Sequence, residues 1–366
     1  MIEALGTALC DSPQPGLTEL RSALQQVLDG SSVTGRFTGA QALKKTCNVY
    51  RLSFDINGRP RTLVAKCLNL PRAQRNRLVA TRWLRAVGLG HRGPALLATA
   101  AERGGEVIWH VYEDFGDRTL DTVAPDWSRV EAAIDLIAEL HVRFAEHPLL
   151  PEARMFGKDM GMTYYLTNIR DAIRALESLR PPVVDGDADQ FALRDRLLSR
   201  LAKLLDEAAD RAAVMAEAGG PETLLHGDLW PKNILSVPTR NGLQTRLIDW
   251  DATGVGPVTY DLSTFLYRFA RHHRLRILER YQQAAEPLGW RVSSIADLSL
   301  LLETAEISRI ANCLIWPCIE AVHAGADWAF DSLAGMETWF DPVEPALTPQ
   351  RFAPAGQGRV TTEGAT

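Results

Sequence analysis

Apolar positions along the chain change period twice. Leu17 to Leu28 carries apolar residues at 20, 24, 27 and 28, the spacing of one face of a helix. The pattern then alternates or runs apolar in short stretches near 33–38, 47–56 and 61–68, with Asn57-Gly58 between the last two as a strong two-residue hairpin signal. These segments predict a three-stranded antiparallel start. An arginine-rich helix is predicted over Ala73–Val87, stopped by Gly88 and Gly90, followed by a strand over Val107–Tyr112 after the Arg103-Gly104-Gly105 turn. Beyond Asp114-Phe115-Gly116 the spacing is helical almost throughout, over 128–145, 162–179, 190–217, 261–287 and 297–324, broken by one polar stretch at 224–257. No internal repeat is visible.

The pattern predicts an α+β protein in four segments: a helical extension over 1–30, a small β-rich lobe over 31–113, a larger helical lobe over 114–344 and a disordered tail over 345–366. A length of 366 residues with 46% apolar content fits two packed lobes rather than one core. The net charge of -5 argues against a general nucleic-acid binder, which needs a basic face to displace counterions. Membrane embedding is not expected, because apolar runs such as Ile134–Leu140 are cut by Asp135 and Glu139. The cysteines, Cys10, Cys47, Cys67, Cys313 and Cys318, are odd in number, lack paired metal spacing and follow no apolar signal segment. They read as reduced thiols of a cytoplasmic protein.

The polar stretch holds the candidate chemistry. Leu224-Leu225-His226-Gly227-Asp228-Leu229-Trp230-Pro231-Lys232-Asn233-Ile234-Leu235 places a carboxylate and an amide five residues apart between short apolar strands, and Leu247-Ile248-Asp249-Trp250-Asp251 ends a further strand in acid. Asp228, Asn233, Asp249 and Asp251 are therefore expected together at adjacent strand ends. Phosphoryl transfer needs a carboxylate to orient the attacking oxygen and hard oxygen ligands for a magnesium ion that also binds phosphates. This set supplies both. Asp251 is either a supporting carboxylate or solvated, Lys232 either approaches the transferred group or reaches solvent, and Asp261 in Tyr260-Asp261-Leu262-Ser263 reads as an N-cap. In the β-rich lobe, Leu63-Val64-Ala65-Lys66-Cys67-Leu68 sets a lysine inside an apolar strand, where its charge calls for an anion unless it snorkels from an edge.

HGDLWPKNIL at 226–235 and LIDWDATGVGPVTYDLSTF at 247–265 resemble the aminoglycoside phosphotransferase and choline kinase family, over roughly 33–325. The resemblance implies a bilobal protein-kinase-like fold and a small-molecule kinase that transfers the γ-phosphoryl group of ATP or GTP to a hydroxyl. It implies Asp228 as catalytic base, Asn233 and Asp249 as Mg2+ ligands, Lys66 on the α- and β-phosphates, and His226 and Asp261 as supports of the loop. The turn at 38–46 would cover the phosphates through its backbone, with Lys45 and Thr46 (and Lys44 beside them) as the candidate contacts, and Glu113 would meet the adenine edge at a hinge over 112–118. Asp114-Phe115-Gly116 looks like the magnesium motif of protein kinases, but Asp249 already fills that role.

One departure stands out: the helix after the lysine strand, which in this family brings a glutamate to the lysine, contains no acid, and Gln74, Asn76 and Arg77 occupy that place. It motivates an alternative, a pseudokinase-like nucleotide-binding or regulatory protein without transfer activity. Within the resemblance the acceptor class includes aminoglycosides, other amino-sugars and amino-alcohols. Asp297 to Glu344 holds nine carboxylates against one fixed cation, Arg309, which favours a cationic or neutral acceptor, with Glu303, Glu306 and Trp316 as candidate contacts.

Overall fold

The computed structural model describes residues 14–29, 35–44, 48–240, 242–291, 294–343 and 345–347, together with Leu5 and Leu9. Most of the expected tail therefore lies outside the described residues. The chain divides into two compact units, one formed by Met1–Thr167 with Gly220–Trp290, the other by Asn168–Gly219 with Arg291–Thr366.

The first unit opens with helix α1 (Leu17–Asp29) and continues into strands β1 (Gly35–Ala42), β2 (Val49–Ile56) and β3 (Arg59–Asn69). Asn57 and Gly58 both take positive φ, 54° and 74°, the mirror-image turn whose twist matches that of the flanking strands. The turn sets the register, Ile56 against Arg59 and Val49 against Lys66. Helix α2 (Leu70–Leu78) starts three residues earlier than its apolar spacing suggests, because Asn69 caps it through the Arg72 N–H and Pro71 occupies its first turn. It runs on through a π-helical turn, Val79–Trp83. Strands β4 (Leu96–Ala101) and β5 (Val107–Glu113) complete an antiparallel sheet in the order β1-β2-β3-β5-β4. β4 had no separate signal, since its run Leu-Leu-Ala-Thr-Ala-Ala lacks clean alternation and holds a single β-branched residue, Thr99. Leu20, Leu24 and Leu28 of α1 pack with Tyr50, Leu52, Phe54, Leu63, Trp109 and Val111 in one buried cluster, so α1 seals a face of the sheet.

Helices α3 (Trp127–Phe144) and α4 (Leu150–Phe156), the short strand β6 (Lys158–Asp159) and α5 (Met162–Ser178) follow, and α5 carries the chain into the second unit. There the predicted helix 190–217 is two, α6 (Ala188–Asp206) and α7 (Ala208–Ala218). The chain returns to the first unit with β7 (Glu222–Leu225), the hairpin β8 (Ile234–Thr239) and β9 (Gly242–Leu247), β10 (Gly254–Pro257), α8 (Thr259–Leu266) and α9 (Arg271–Ala284). β10 joins β7 antiparallel and β6 parallel, which fixes the two ends of the polar stretch against each other. The second unit closes with α10 (Ile295–Ala324) and α11 (Trp328–Glu337). Within it, buried Asn168 donates to Ser308, and buried Arg211 pairs with Glu207 and donates to Thr304. No helix among the described residues is long and apolar enough to cross a membrane.

Candidate active site

β7 delivers His226 into a fully buried position from which the loop is built. The His226 ring donates from Nε2 to the Ile248 carbonyl (2.8 Å), because a carbonyl only accepts, which leaves Nδ1 to accept from the Asp228 N–H (3.3 Å). Gly227 has φ +78°, and a Cβ there would strike the Ala252 carbonyl, so the turn admits glycine alone. Asp261 lies beneath, fully buried, and accepts the N–H groups of His226 and Gly227 at 2.8 Å each and His141 Nε2 at 3.3 Å. It is therefore not the N-cap that its sequence suggests. α8 begins two residues earlier and Val258 caps it without a side-chain bond, while the Asp261 carboxylate clamps the loop. Burial opposes its ionisation, but the bonds from His141 and the loop amides outweigh it and hold its pKa below the ordinary carboxylate value.

Asp228 emerges half-buried at the loop's tip. Asn233, in the tight turn before β8, donates from Nδ2 to the Asp228 carbonyl (2.8 Å) and to its Oδ2 (3.2 Å), tying the two ends of the motif. Asp249 follows β9 in the left-handed region, φ 64° and ψ 58°. Few residues other than glycine accept this conformation, and aspartate is among those that do. The backbone turns there and sends the carboxylate toward β3. Lys66, 6% exposed, donates to Asp249 Oδ1 at 2.5 Å and to Asp251 Oδ1 at 2.6 Å, and Lys44 reaches Asp249 Oδ2 at 2.9 Å. Burial again opposes ionisation of Asp249, yet the two ammonium groups drive its pKa far below the ordinary value. The same carboxylates hold the pKa of Lys44 above normal against partial burial.

These residues border a cavity of about 410 Å³ lined by Lys44, Lys66, Asn76, Asn233 and Asp249 at one end and by Tyr112 to Asp117 at the other. Glu113 is exposed at that second end, with its backbone N–H bonded to the Ala95 carbonyl. Asp114 takes no part in the acidic cluster: it accepts from Arg51 Nε at 2.7 Å, and Asp117 pairs with the same guanidinium. Arg51 was not foreseen, because its partners lie 63 and 66 residues away. Lys232 is exposed, lines the cavity and stands 4.9 Å from the Trp230 ring centre, which Arg268 approaches to 4.1 Å. Lys45 and Thr46 lie outside the described residues.

The suggested acceptor residues belong to the second unit. There Glu303 accepts from the Ala346 N–H, Glu306 pairs with Arg309, and Trp316 is exposed. Two other acids of that segment are paired by α6, Glu337 with Arg196 and Asp341 with Arg200. A count restricted to 297–344 missed those cations.

Residues 65–294 match the phosphotransferase enzyme family. Among solved structures, an ethanolamine kinase of Plasmodium vivax superposes with a TM-score of 0.59 at 12% identity, with 93% of each chain covered. A spectinomycin phosphotransferase solved with ADP and spectinomycin gives 0.54 at 12% identity, over 88% of this chain and 96% of its own. A choline kinase of Streptococcus pneumoniae gives 0.51 at 13% identity, over 88% and 98%. Likeness at such identities is one of fold, and no curated protein matches the chain by sequence. With more than half its length matched to one family, the chain belongs to the phosphotransferase enzyme family, and it has the protein-kinase-like fold of the small-molecule kinases it superposes on.

Proposed function

We propose that the protein transfers the γ-phosphoryl group of ATP or GTP to a hydroxyl of a small amino-alcohol or amino-sugar, with Asp228 as the base that orients and deprotonates it. The observation that carries this reading is the meeting of Lys66, Asn233 and Asp249, drawn from β3 and two loops, at one end of a cavity, with the Asp228 carboxylate bonded to Asn233 beside them. The cavity suits a nucleotide, with its base toward Tyr112–Asp117 and its phosphates toward Lys66, whose ammonium group would offset their charge. Lys45 and Thr46 remain the proposed backbone contacts over the phosphates.

Mg2+ fits the donor set on chemical grounds. Asn233 uses its amide nitrogen on Asp228, which leaves its side-chain oxygen to offer, and Asp249 is held ionised with cations already drawn to it. One amide oxygen and one carboxylate are the share of ligands that magnesium takes from a protein when phosphate and water supply the rest. When bound, the ion would neutralise charge on the phosphates. The other residues hold geometry: Asp261 and His226 fix the loop, and Asn233 keeps the Asp228 carboxylate from rotating away.

A nucleoside triphosphate donor and the free thiols of Cys67 and Cys318 fit a cytoplasmic setting. The acceptor class follows the acidic character of 297–344 and the kinases of similar fold, which act on ethanolamine, choline and spectinomycin. The test is a coupled assay of nucleoside-diphosphate release with ATP and GTP across amino-sugars, amino-alcohols, nucleosides and macrolides, with Asp228→Asn as control. Release stimulated by one acceptor class and lost in the control supports the reading. Nucleotide binding with no stimulated release by any acceptor overturns it.

A further inference from the structure

Helix α2 contains no acidic residue, although Lys66 beside it is buried. The structure supplies the missing anion from elsewhere. Asn76, 3% exposed on α2, donates from Nδ2 to Asp251 Oδ1 at 2.8 Å, and Lys66 donates to that same oxygen at 2.6 Å. The Asn76 amide is itself anchored on the Arg72 carbonyl at 2.9 Å. Arg75, the preceding residue, donates to the Asp251 backbone carbonyl and, from Nε at 2.9 Å, to the Phe156 carbonyl. The helix thus grips both the side chain and the main chain of Asp251.

From this arrangement we infer that Asp251, held by Asn76, is the carboxylate that positions Lys66 for the nucleotide phosphates, and that Asn76 acts as a positioning residue in place of a helix glutamate. The inference rests on the phosphotransferase reading above. Its physical logic lies in the division of labour between two acids. Asp249 Oδ1 also holds Lys66, but an oxygen committed to a metal is no longer free for an ammonium group, so a lysine held by Asp249 alone would lose its guide. Asp251, anchored independently by α2, keeps Lys66 in place. An asparagine on the helix is then the correct residue, because a second carboxylate there would face Asp251 across one hydrogen bond and repel it.

The experiment compares wild type, Asn76→Ala, Asp251→Asn and the exchange Asn76→Asp with Asp251→Asn, which preserves charge and the amide–carboxylate pair but moves the carboxylate onto the helix. ADP affinity is measured by calorimetry in the presence of Mg2+, and KM and kcat are measured for nucleotide and acceptor. Each single variant should weaken ADP binding and raise the nucleotide KM about 10-fold, the scale of one charge-assisted bond, with acceptor KM unchanged within about two-fold. The exchange should restore both nucleotide values to within about three-fold of wild type. Wild-type ADP affinity in the single variants, or an exchange that is simply the sum of both losses, overturns the inference. Should a single variant lose its fold by thermal melting, the exchange alone decides. Transfer by wild type with no effect of these changes removes this inference and leaves the phosphotransferase reading standing, whereas a wild type that neither binds ADP nor transfers removes both.

Discussion

Asp228 and Asp249 sit in different surroundings, and those surroundings say how to tell their proposed roles apart. Asp228 is half-buried and its carboxylate accepts one bond, from Asn233, so its other oxygen can meet a hydroxyl proton. Asp228→Asn keeps the size of the side chain and the hydrogen bonds of the loop, and it should lower transfer by about 10²–10⁴ while ADP affinity stays near wild type. Turnover and ADP affinity measured on one preparation check this, and wild-type turnover removes the base assignment. Asp249 instead carries two cationic partners, so Asp249→Ala should shift the magnesium titration of the rate to higher concentration and release Lys44, while Asp251 still holds Lys66. An unchanged magnesium titration at an unchanged rate would transfer the metal role to another oxygen. Both aspartates were legible in the sequence, because strand ends beside an apolar run advertise them. Their partners were not, since Lys66 lies 183 residues from Asp249 and 185 from Asp251.

At the scale of elements, two glycine turns show why equal backbone angles have unequal consequences. Gly58 and Gly227 have φ of 74° and 78°, but a Cβ on Gly58 meets nothing while one on Gly227 meets the Ala252 carbonyl and the Met160 side chain. Gly58→Ala should therefore cost about 1 kcal/mol by denaturant unfolding and leave activity intact. Gly227→Ala should cost on the order of 3 kcal/mol and also reduce turnover, because relief of the clash displaces Asp228. Equal stability losses in the two variants would contradict the packed turn. The Asn57-Gly58 hairpin was readable because its twist is a local property of two residues. The split of 190–217 into α6 and α7 and the strand β4 were not readable, since nothing in their spacing or composition marked them.

At the scale of the whole molecule, pH should act through buried groups of the first unit. His110 on β5 lies opposite Lys66 on β3 and bonds to the Tyr112 hydroxyl. Burial, helped by the Lys66 charge, lowers its pKa from 6.5 to about 4. Between those values the unfolded chain binds a proton that the folded chain does not, so stability rises with pH across the window and falls on acidification from 6.5 toward 4, by on the order of 2 kcal/mol. Urea midpoints at pH 7 and pH 5 should drop for wild type and drop less for His110→Gln. Equal drops would assign the loss to other groups. Below this window Asp249 and Asp261, whose pKa values are depressed, hold their contribution until pH passes under the ordinary carboxylate range. Hydrophobic period and motif order were enough to determine most element types, the β-then-α sequence and the polar stretch proposed to bear the chemistry, because each is a property of residues near one another in the chain. Only the tertiary structure decided that Asp251 rather than a helix acid faces Lys66, that Asp261 supports the loop by accepting its amides rather than by capping a helix, and that Arg51 holds Asp114. Each of these is a hydrogen bond between elements remote in sequence, and its partner is chosen by how their faces pack, about which the spacing within either element carries no information.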